Sequence, residues 1–151
     1  SPGSWSQYAA RRVGPRGVVV AVDLKPLARP IKGVTWLWGD VTEMEAKTFM
    51  EAGGPFDLVA SDMAPATTGQ KDVDGARSLQ LAQAAFRLAS QVLKPSGQAV
   101  VKVFMGAGFP ELLEMVRQNF AQSRTIKPKA SLKGSRETYI LAQGPVNCKE
   151  G

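Results

Sequence analysis

VVVAVD, residues 18–23, is a run of β-branched and small apolar residues that ends in a carboxylate. The run does not alternate between apolar and polar residues, which is typical of a strand buried on both faces. Two further apolar runs, VTWLWG (34–39) and FDLVASD (56–62), are followed by or end in an aspartate. Strands of this kind are found in α/β proteins, so the pattern predicts a largely parallel sheet.

Segments with helical periodicity separate the predicted strands. The clearest is Arg77–Leu93, in which one apolar stripe recurs at helical spacing. The other predicted helices are Ser4–Val13, residues 43–52 and Pro110–Phe120, and the later predicted strands are 98–104, 125–130 and 137–143, with a loop over residues 63–75. This order predicts an α/β fold, with a mostly parallel sheet and helices on both faces, in a single domain over residues 1–151.

Composition excludes several kinds of site. The chain has no His and a single Cys, Cys148, so an imidazole base, an internal disulfide and a Cys-based zinc site are all excluded. Hydrophobic residues make up 44% of the chain, which is enough for a folded core. No run of eighteen apolar residues is present, so we expect no membrane span. Because the chain has no His and one Cys, we also expect no bound metal.

Positive charge is concentrated in the second half of the chain. Residues 1–75 have 8 basic and 9 acidic side chains, whereas residues 76–151 have 11 basic and 4 acidic side chains. Six cations and no acid lie between Arg117 and Arg136. Such a segment attracts a polyanion and favours RNA or DNA as a partner, although a solvated surface would have the same composition.

Three aspartates, Asp23, Asp40 and Asp62, stand at the ends of successive predicted strands. Each alone would serve equally as a turn former, but parallel strands end at one edge of a sheet, where α/β proteins bind ligands. Asp23 follows Gly3 by 20 residues, a spacing typical of a carboxylate that binds a nucleoside ribose, and Asp40 would then face the adenine. The chain lacks a phosphate-binding glycine loop, which favours a nucleoside cofactor without phosphates, such as S-adenosylmethionine.

Six short blocks together resemble one enzyme family. They are SPGSWSQ (1–7), VVVAVDLKP (18–26), Gly39-Asp40, SDMAP (61–65), VVKVF (100–104) and SRETY (135–139). In content and order they resemble the FtsJ/RrmJ family of ribosomal RNA 2′-O-ribose methyltransferases, which act on a uridine of large-subunit RNA. The resemblance implies a Rossmann-like fold, S-adenosylmethionine as methyl donor, S-adenosylhomocysteine as product and a ribose 2′-hydroxyl of RNA as acceptor.

The resemblance also implies a set of site residues. The family's catalytic set is Lys-Asp-Lys-Glu, and its last three members match Asp62, Lys102 and Glu137. Its first Lys has no counterpart, and no strand precedes the small-residue turn, so we expect the chain to begin inside its own motif without the first strand. The matching cofactor contacts are Gly3, Trp5, Asp23, Asp40 and Asp62.

The chemistry of methyl transfer suits this set. The acceptor hydroxyl must be aligned with the methyl group and must lose one proton. Because the chain has no His, Lys102 is the predicted proton handler, oriented by Asp62, with Glu137 positioning the Lys or the ribose. Without the family motifs, Lys102 would equally be a side chain reaching outward to solvent, and Glu137 a surface charge.

The predicted partner is RNA, most specifically ribosomal RNA within the large subunit or its precursor. We expect its phosphates to contact Lys127, Lys129, Lys133 and Arg136. The protein is expected to be a monomer in the cytoplasm, or in mitochondria if it is eukaryotic. Two alternatives remain open: an RNA-binding assembly factor without activity, and a nicotinamide-dependent oxidoreductase, which the absence of G-x-G-x-x-G disfavours.

Overall fold

The structure is a computed structural model that describes residues 3–129 and 134–146. The chain forms two compact units, unit 1 (Ser1–Gly54) and unit 2 (Pro55–Gly151). Both units combine helices with parallel strands, as the alternating sequence pattern predicts.

Unit 1 contains a two-stranded parallel sheet and two helices. Its elements are α1 (Ser4–Val13), β1 (Val19–Asp23), β2 (Val34–Trp38) and α2 (Ala46–Glu51). The strand register pairs Val19 with Val34 and Asp23 with Trp38, so both strands end at the same edge. Helix α1 packs against the two strands. The bounds predicted for α1 are confirmed, and α2 is shorter than the predicted 43–52.

Unit 2 contains a four-stranded mixed sheet and two longer helices. Its elements are β3 (Phe56–Ser61), α3 (Lys71–Val92), β4 (Leu93–Phe104), α4 (Phe109–Asn119), β5 (Phe120–Ile126) and β6 (Glu137–Pro145). The strand order is β3-β4-β6-β5, with β3 parallel to β4 and β6 antiparallel to both of its neighbours. Three of these strands therefore run in one direction, which confirms the α/β class and the mostly parallel strand arrangement.

The core of unit 2 lies between one face of its sheet and helices α3 and α4. Burial alternates along β4, where Ala99, Val101 and Val103 are fully buried. Phe86 of α3 meets Phe120 edge to face, with ring centroids 5.9 Å apart. Because successive side chains of a strand point to opposite faces, Lys102 lies on the face that this core does not cover.

Three predicted boundaries in unit 2 are wrong. Strand β4 begins at Leu93, not at residue 98, since residues 94–97, which the sequence pattern indicates as the end of the preceding helix, belong to the strand, and its register with β3 is irregular between Phe56 and Leu58. Helix α3 begins at Lys71, not Arg77, because its first turn is polar and carries no apolar periodicity; Asp72 and Asp74 favour that helix start through the helix dipole. The strand predicted over 125–130 is β5, Phe120–Ile126. Its side chains are mostly exposed, so it lacks the buried pattern by which strands are predicted.

The described residues contain neither a membrane-spanning helix nor a metal-binding cluster. Over residues 3–129 and 134–146, no helix has the length and apolarity needed to cross a membrane. Within the same ranges, no cluster of three or more His, Cys, Asp or Glu side chains could hold a metal ion.

Candidate active site

Lys102 is the centre of a charged cluster in unit 2. Its side chain is only 11% exposed, and its Nζ lies 3.2 Å from Asp62 Oδ1 and 4.0 Å from Glu137 Oε1. Both carboxylates are more exposed, at 42% and 44% of their side-chain surface. The structure therefore brings together the three predicted catalytic residues, with the ammonium group at the inner end of the cluster.

Strand pairing explains how residues distant in sequence meet here. In the parallel β3–β4 ladder Ser61 pairs with Val101, so Asp62, the next residue, leaves the strand beside Lys102. In the antiparallel β4–β6 ladder Glu137 pairs with Phe104 and begins the strand. The cluster is therefore assembled by the sheet itself, on neighbouring positions of three adjacent strands.

Tyr139 is a fourth member of the cluster, and the family motifs did not single it out. It lies directly opposite Lys102 in the β4–β6 register, two residues after Glu137 and so on the same face. Its hydroxyl donates to Asp62 Oδ1 at 3.0 Å. The family block SRETY (135–139) includes Tyr139 but gives it no role, and a tyrosine in a strand is otherwise typical of packing.

Burial and the Asp62 carboxylate together keep the Tyr139 hydroxyl protonated. Burial raises the pKa of Tyr139 from 10.0 to about 12, with further contributions from the hydrogen bond to Asp62 and from the negative charges of Asp62 and Glu137. Tyr139 therefore acts as a neutral hydrogen-bond donor to Asp62 across the physiological range.

The cluster has the properties needed to handle a hydroxyl group. The Lys102 ammonium lies within ion-pair distance of both carboxylates, so the cluster has a formal charge of −1. Lys102 and Tyr139 both act on Asp62 Oδ1, which fixes that carboxylate and, through it, the ammonium. A polar group that approaches the exposed side of the carboxylates would meet a fixed donor and a fixed acceptor.

Asp23 and Asp40 lie at the same edge of the sheet in unit 1. Asp23 ends β1, and the Gly39 N–H, just before Asp40, donates to the Asp23 backbone carbonyl at 3.1 Å. Asp23 Oδ1 accepts from the Lys25 backbone N–H at 3.0 Å. Asp40 Oδ1 accepts from both the backbone N–H and the hydroxyl of Thr42, and the hydroxyl bond is the larger reason why the pKa of Asp40 is lowered.

These two carboxylates fit the polar groups of a nucleoside. In the described part of the chain, the hydrogen bonds to each carboxylate reach only Oδ1, which leaves Oδ2 as an acceptor. Both side chains are half-buried. Acceptors of this kind match ribose hydroxyls and an exocyclic amine, which are hydrogen-bond donors.

Gly3 begins α1 in a conformation that suits glycine. Its φ is +91°, in the left-handed region, and a Cβ at this position would lie 2.8 Å from Ile31 Cδ1. The Gly3 carbonyl accepts from the Gln7 N–H at 2.9 Å, which starts the helix. Trp5, in the first turn, is 45% exposed and so has aromatic surface available for a ligand.

The four predicted RNA contacts have different surroundings. Lys129 is exposed, and Lys127 is exposed with its Nζ donating to the Ser135 carbonyl at 2.7 Å. The Arg136 guanidinium donates twice to the Lys71 carbonyl, each at 3.3 Å, and lies 5.7 Å from the centre of the Phe104 ring. Lys133 lies outside the described residues.

The cluster around Lys102 joins the three motifs by which the sequence resembles a methyltransferase family. The sequence model of the FtsJ-like methyltransferases matches residues 1–145. This chain belongs to the FtsJ-like methyltransferase family. The family resemblance predicted from the motifs is thereby confirmed.

Two curated relatives of this FtsJ-like methyltransferase are bacterial proteins. The protein called ribosomal RNA large subunit methyltransferase E in Syntrophobacter fumaroxidans is 46% identical over 143 residues, which cover 93% of this chain and 73% of the relative. The protein of the same name in Hydrogenovibrio crunogenus is 43% identical over 147 residues, covering 95% of this chain and 71% of the relative.

Solved structures share the methyltransferase fold. A Plasmodium falciparum protein described as a ribosomal RNA methyltransferase has a TM-score of 0.81 at 24% identity, over 95% of this chain and 81% of that one. Human methyltransferase-like protein 13, crystallised with S-adenosylhomocysteine, has a TM-score of 0.64 at 13% identity, over 99% and 71%. The protein is an S-adenosylmethionine-dependent methyltransferase, as predicted.

Proposed function

We propose that this FtsJ-like methyltransferase transfers a methyl group from S-adenosylmethionine to a ribose 2′-hydroxyl of large-subunit ribosomal RNA. The observation that carries the proposal is the ion pair of the nearly buried Lys102 with Asp62, 3.2 Å apart. The relatives, named ribosomal RNA large subunit methyltransferase E, support the choice of RNA.

We assign to Lys102 the contact with the acceptor hydroxyl of the ribose. In the reaction the ribose oxygen forms a bond to the methyl carbon, the carbon–sulfur bond breaks and the hydroxyl proton leaves. Lys102 would orient the oxygen and pass that proton on, a step that requires its ammonium group first to release one proton to solvent. Asp62 would hold the Lys102 side chain in place, and Glu137, 4.0 Å from Nζ, would contribute less.

The cofactor supplies a methyl group on a sulfonium that is already activated, so the protein's task is alignment and the handling of one proton. We assign Asp23 to the ribose of the cofactor and Asp40 to its adenine, because each carboxylate has one oxygen left as an acceptor. We also assign to the cofactor Gly3 and Trp5, in the turn that begins α1, and Asp62, for its amino-acid end.

The RNA would be held by cations of unit 2. Lys127 and Lys129 are exposed, and Lys133 belongs to the same basic segment of the sequence. Arg136 is half-buried, and its guanidinium donates to the Lys71 carbonyl at the start of α3. It would stabilise that helix start and add to the positive electrostatic potential that attracts the RNA. We further propose a monomer that needs no metal or membrane and works in the cytoplasm, where bacteria assemble ribosomes.

Methyl transfer from isotopically labelled S-adenosylmethionine to large-subunit RNA, free or in particles, tests the function. Nuclease digestion should recover the label on a ribose, and Lys102→Ala should lower kcat roughly 10²–10⁴-fold, the range for loss of a general acid–base group. Lys94→Ala is the matched control, because Lys94 is also on β4 and its Nζ lies 3.1 Å from the Asp57 carboxylate. Label on a base, or full activity of Lys102→Ala, would refute the proposal.

The cofactor assignment has a separate test. Asp23→Asn and Asp40→Asn should each weaken S-adenosylhomocysteine binding, measured by calorimetry, by about tenfold, as expected for one hydrogen bond to a charged group. Asp57→Asn, which removes a carboxylate paired with Lys94, is the control and should bind as tightly as the natural protein. Unchanged binding by both site variants would contradict the assignment.

A further inference from the structure

Positive charge is concentrated in unit 1 as well as in unit 2, a feature hidden by the near-neutral total of residues 1–75. Residues 8–33 hold six cations and one acid, whereas residues 34–57 hold one cation and five acids. The charges of these two segments nearly cancel in the total for residues 1–75. The six cations, which we call the unit 1 basic patch, are Arg11, Arg12, Arg16, Lys25, Arg29 and Lys32.

All six side chains of the unit 1 basic patch are exposed. Among residues 3–129 and 134–146, none of the six lies within ion-pair distance of a carboxylate. The side-chain hydrogen bonds found in those same ranges do not involve their cationic groups either. The patch cations are therefore available to an external anion.

The patch comes from two segments that lie side by side. A Cβ at Gly33 would lie 3.8 Å from Ala10 Cβ, and a Cβ at Gly3 would lie 2.8 Å from Ile31 Cδ1. The loop that follows β1 thus runs along α1, and the cations Lys32 and Arg11 are the chain neighbours of Gly33 and Ala10. The cations of the helix end and of the loop therefore come from two neighbouring segments of unit 1.

Helix stability explains only part of this charge. Arg11 and Arg12 are in the last turn of α1, where cations interact favourably with the helix dipole. The other four cations lie outside the helix: Arg16 precedes β1, and Lys25, Arg29 and Lys32 are in the loop after β1. Unpaired like charges on neighbouring segments repel each other, so a net charge of this kind suits an anionic partner better than it suits the isolated protein.

We infer that the unit 1 basic patch binds the phosphate backbone of the RNA substrate, in addition to the cations of unit 2. The inference rests on the proposed function, which supplies the polyanion. Arg and Lys side chains that contact only phosphates bind RNA with an affinity that does not depend on the base sequence and falls as the salt concentration rises. The patch would thus anchor a long or structured RNA whose acceptor ribose is held elsewhere.

Two triple variants test the inference: Arg11→Gln/Arg12→Gln/Arg16→Gln and Lys25→Gln/Arg29→Gln/Lys32→Gln. The control triple, Lys47→Gln/Arg87→Gln/Lys94→Gln, removes the same charge from other surface positions. Binding of a large-subunit RNA fragment is measured over a range of salt concentrations. Each phosphate that the protein no longer neutralises should reduce the slope of log K against log salt by about 0.7–0.9, so each patch triple should reduce the slope by about 2–3.

Kinetics provide the second readout. Each patch triple should raise the KM for the long RNA roughly tenfold or more with a smaller change in kcat, while the KM for a short acceptor oligonucleotide stays near that of the control triple. Circular dichroism and S-adenosylhomocysteine binding establish that the variants are folded. Equal salt slopes and equal KM values for the patch and control triples would overturn the inference. So would patch variants that bind RNA normally but lose binding to anionic vesicles or to an acidic protein.

Failure of the proposed function has a different signature. If the natural protein labels no large-subunit RNA, the proposed function is wrong while the salt-dependent binding experiment still measures the patch. If the natural protein labels the RNA and the patch triples match the control, only the patch inference is wrong.

Discussion

Lys102 and Tyr139 face each other directly across the β4–β6 ladder and act on the same oxygen, Asp62 Oδ1, at 3.2 and 3.0 Å. The Asp62 carboxylate thus has two partners, the charged ammonium of Lys102 and the neutral hydroxyl of Tyr139. The orientation of Lys102 in the proposed reaction therefore depends on a residue from the last described strand as well as on its ion pair.

Removing the Tyr139 hydroxyl should slow the reaction without weakening cofactor binding. Tyr139→Phe deletes one hydrogen bond to a charged group, and we expect kcat to fall about tenfold, corresponding to roughly 1.4 kcal/mol. The KM for S-adenosylmethionine should stay constant. Tyr8→Phe is the control, because Tyr8 is 67% exposed in unit 1. A Tyr139→Phe enzyme with the kcat of the control would show that Asp62 holds Lys102 unaided.

The raised pKa of Tyr139 should be visible in a titration. The chain has two tyrosines, so in Tyr8→Phe the near-ultraviolet tyrosinate absorbance reports Tyr139 alone. We expect its midpoint at about 12, above the ordinary 10.0. Because the folded state keeps a proton that the unfolded state loses, stability should fall as pH rises from 10.0 toward 12. A midpoint at the ordinary value would mean that Tyr139 is neither buried nor bonded to Asp62 in solution.

Asp74 should stabilise the loop that follows Asp62. Asp74 is 5% exposed, and its Oδ1 accepts from the backbone N–H and the hydroxyl of Thr68, each at 2.9 Å. Asp74→Ala should lower the unfolding midpoint by several degrees, because two donors lose their acceptor. Asp72→Ala removes an exposed carboxylate from the same helix turn and should have little effect.

The contribution of Asp74 should also depend on pH. The backbone hydrogen bond from Thr68 is the main reason why the pKa of Asp74 lies below its ordinary 3.8, with the hydroxyl adding to it and burial opposing it. A lowered pKa gives stability that is present above 3.8 and lost as pH falls further. The difference in unfolding midpoint between the natural protein and Asp74→Ala should therefore shrink in acid. A constant difference would argue against the Thr68 contact.

Glu137 should matter less than Asp62. Its carboxylate is 44% exposed and 4.0 Å from Lys102 Nζ, a distance at which partly exposed pairs contribute at most about 1 kcal/mol. Glu137→Gln should then lower kcat by less than about fivefold, whereas Asp62→Asn should lower it more, because both Lys102 and Tyr139 lose their charged partner. Single-turnover rates measure both, and the reverse order would assign Glu137 a direct role.

Sequence patterns predicted the elements whose burial is regular. The apolar stripe of α3 indicated a helix close to the one found, because its residues pack on the core of unit 2. The run at Val18–Asp23 indicated β1, although the side chains of β1 are half-buried instead of buried on both faces. Polar segments were predicted less well. The first turn of α3 is stabilised by Asp74 and its contact with Thr68, and β5 by its pairing with β6, and neither contact leaves an apolar period in the sequence.

The residues of the candidate site were likewise predicted only in part from the sequence. Asp62, Lys102 and Glu137 follow from family motifs, and the structure brings them together. Tyr139 required the strand register, which sequence spacing alone does not give. Arg136 was predicted as an RNA contact on charge alone, but its partners, the Lys71 carbonyl and the Phe104 ring, depend on tertiary structure. The convergence of Asp23 and Asp40 with Asp62 in one crevice stays a prediction.

Strand β6 lies between β4 and β5, although it follows both of them in the chain. During translation, β5 therefore emerges before the strand with which it pairs, and Lys102 emerges before Glu137 and Tyr139. The cluster around Lys102 is complete only once residues 137–145 have left the ribosome and inserted into the sheet. A nascent or truncated chain that lacks this strand can hold Asp62 and Lys102 but not the finished cluster, so the order of synthesis itself delays completion of the cluster until the sheet is closed.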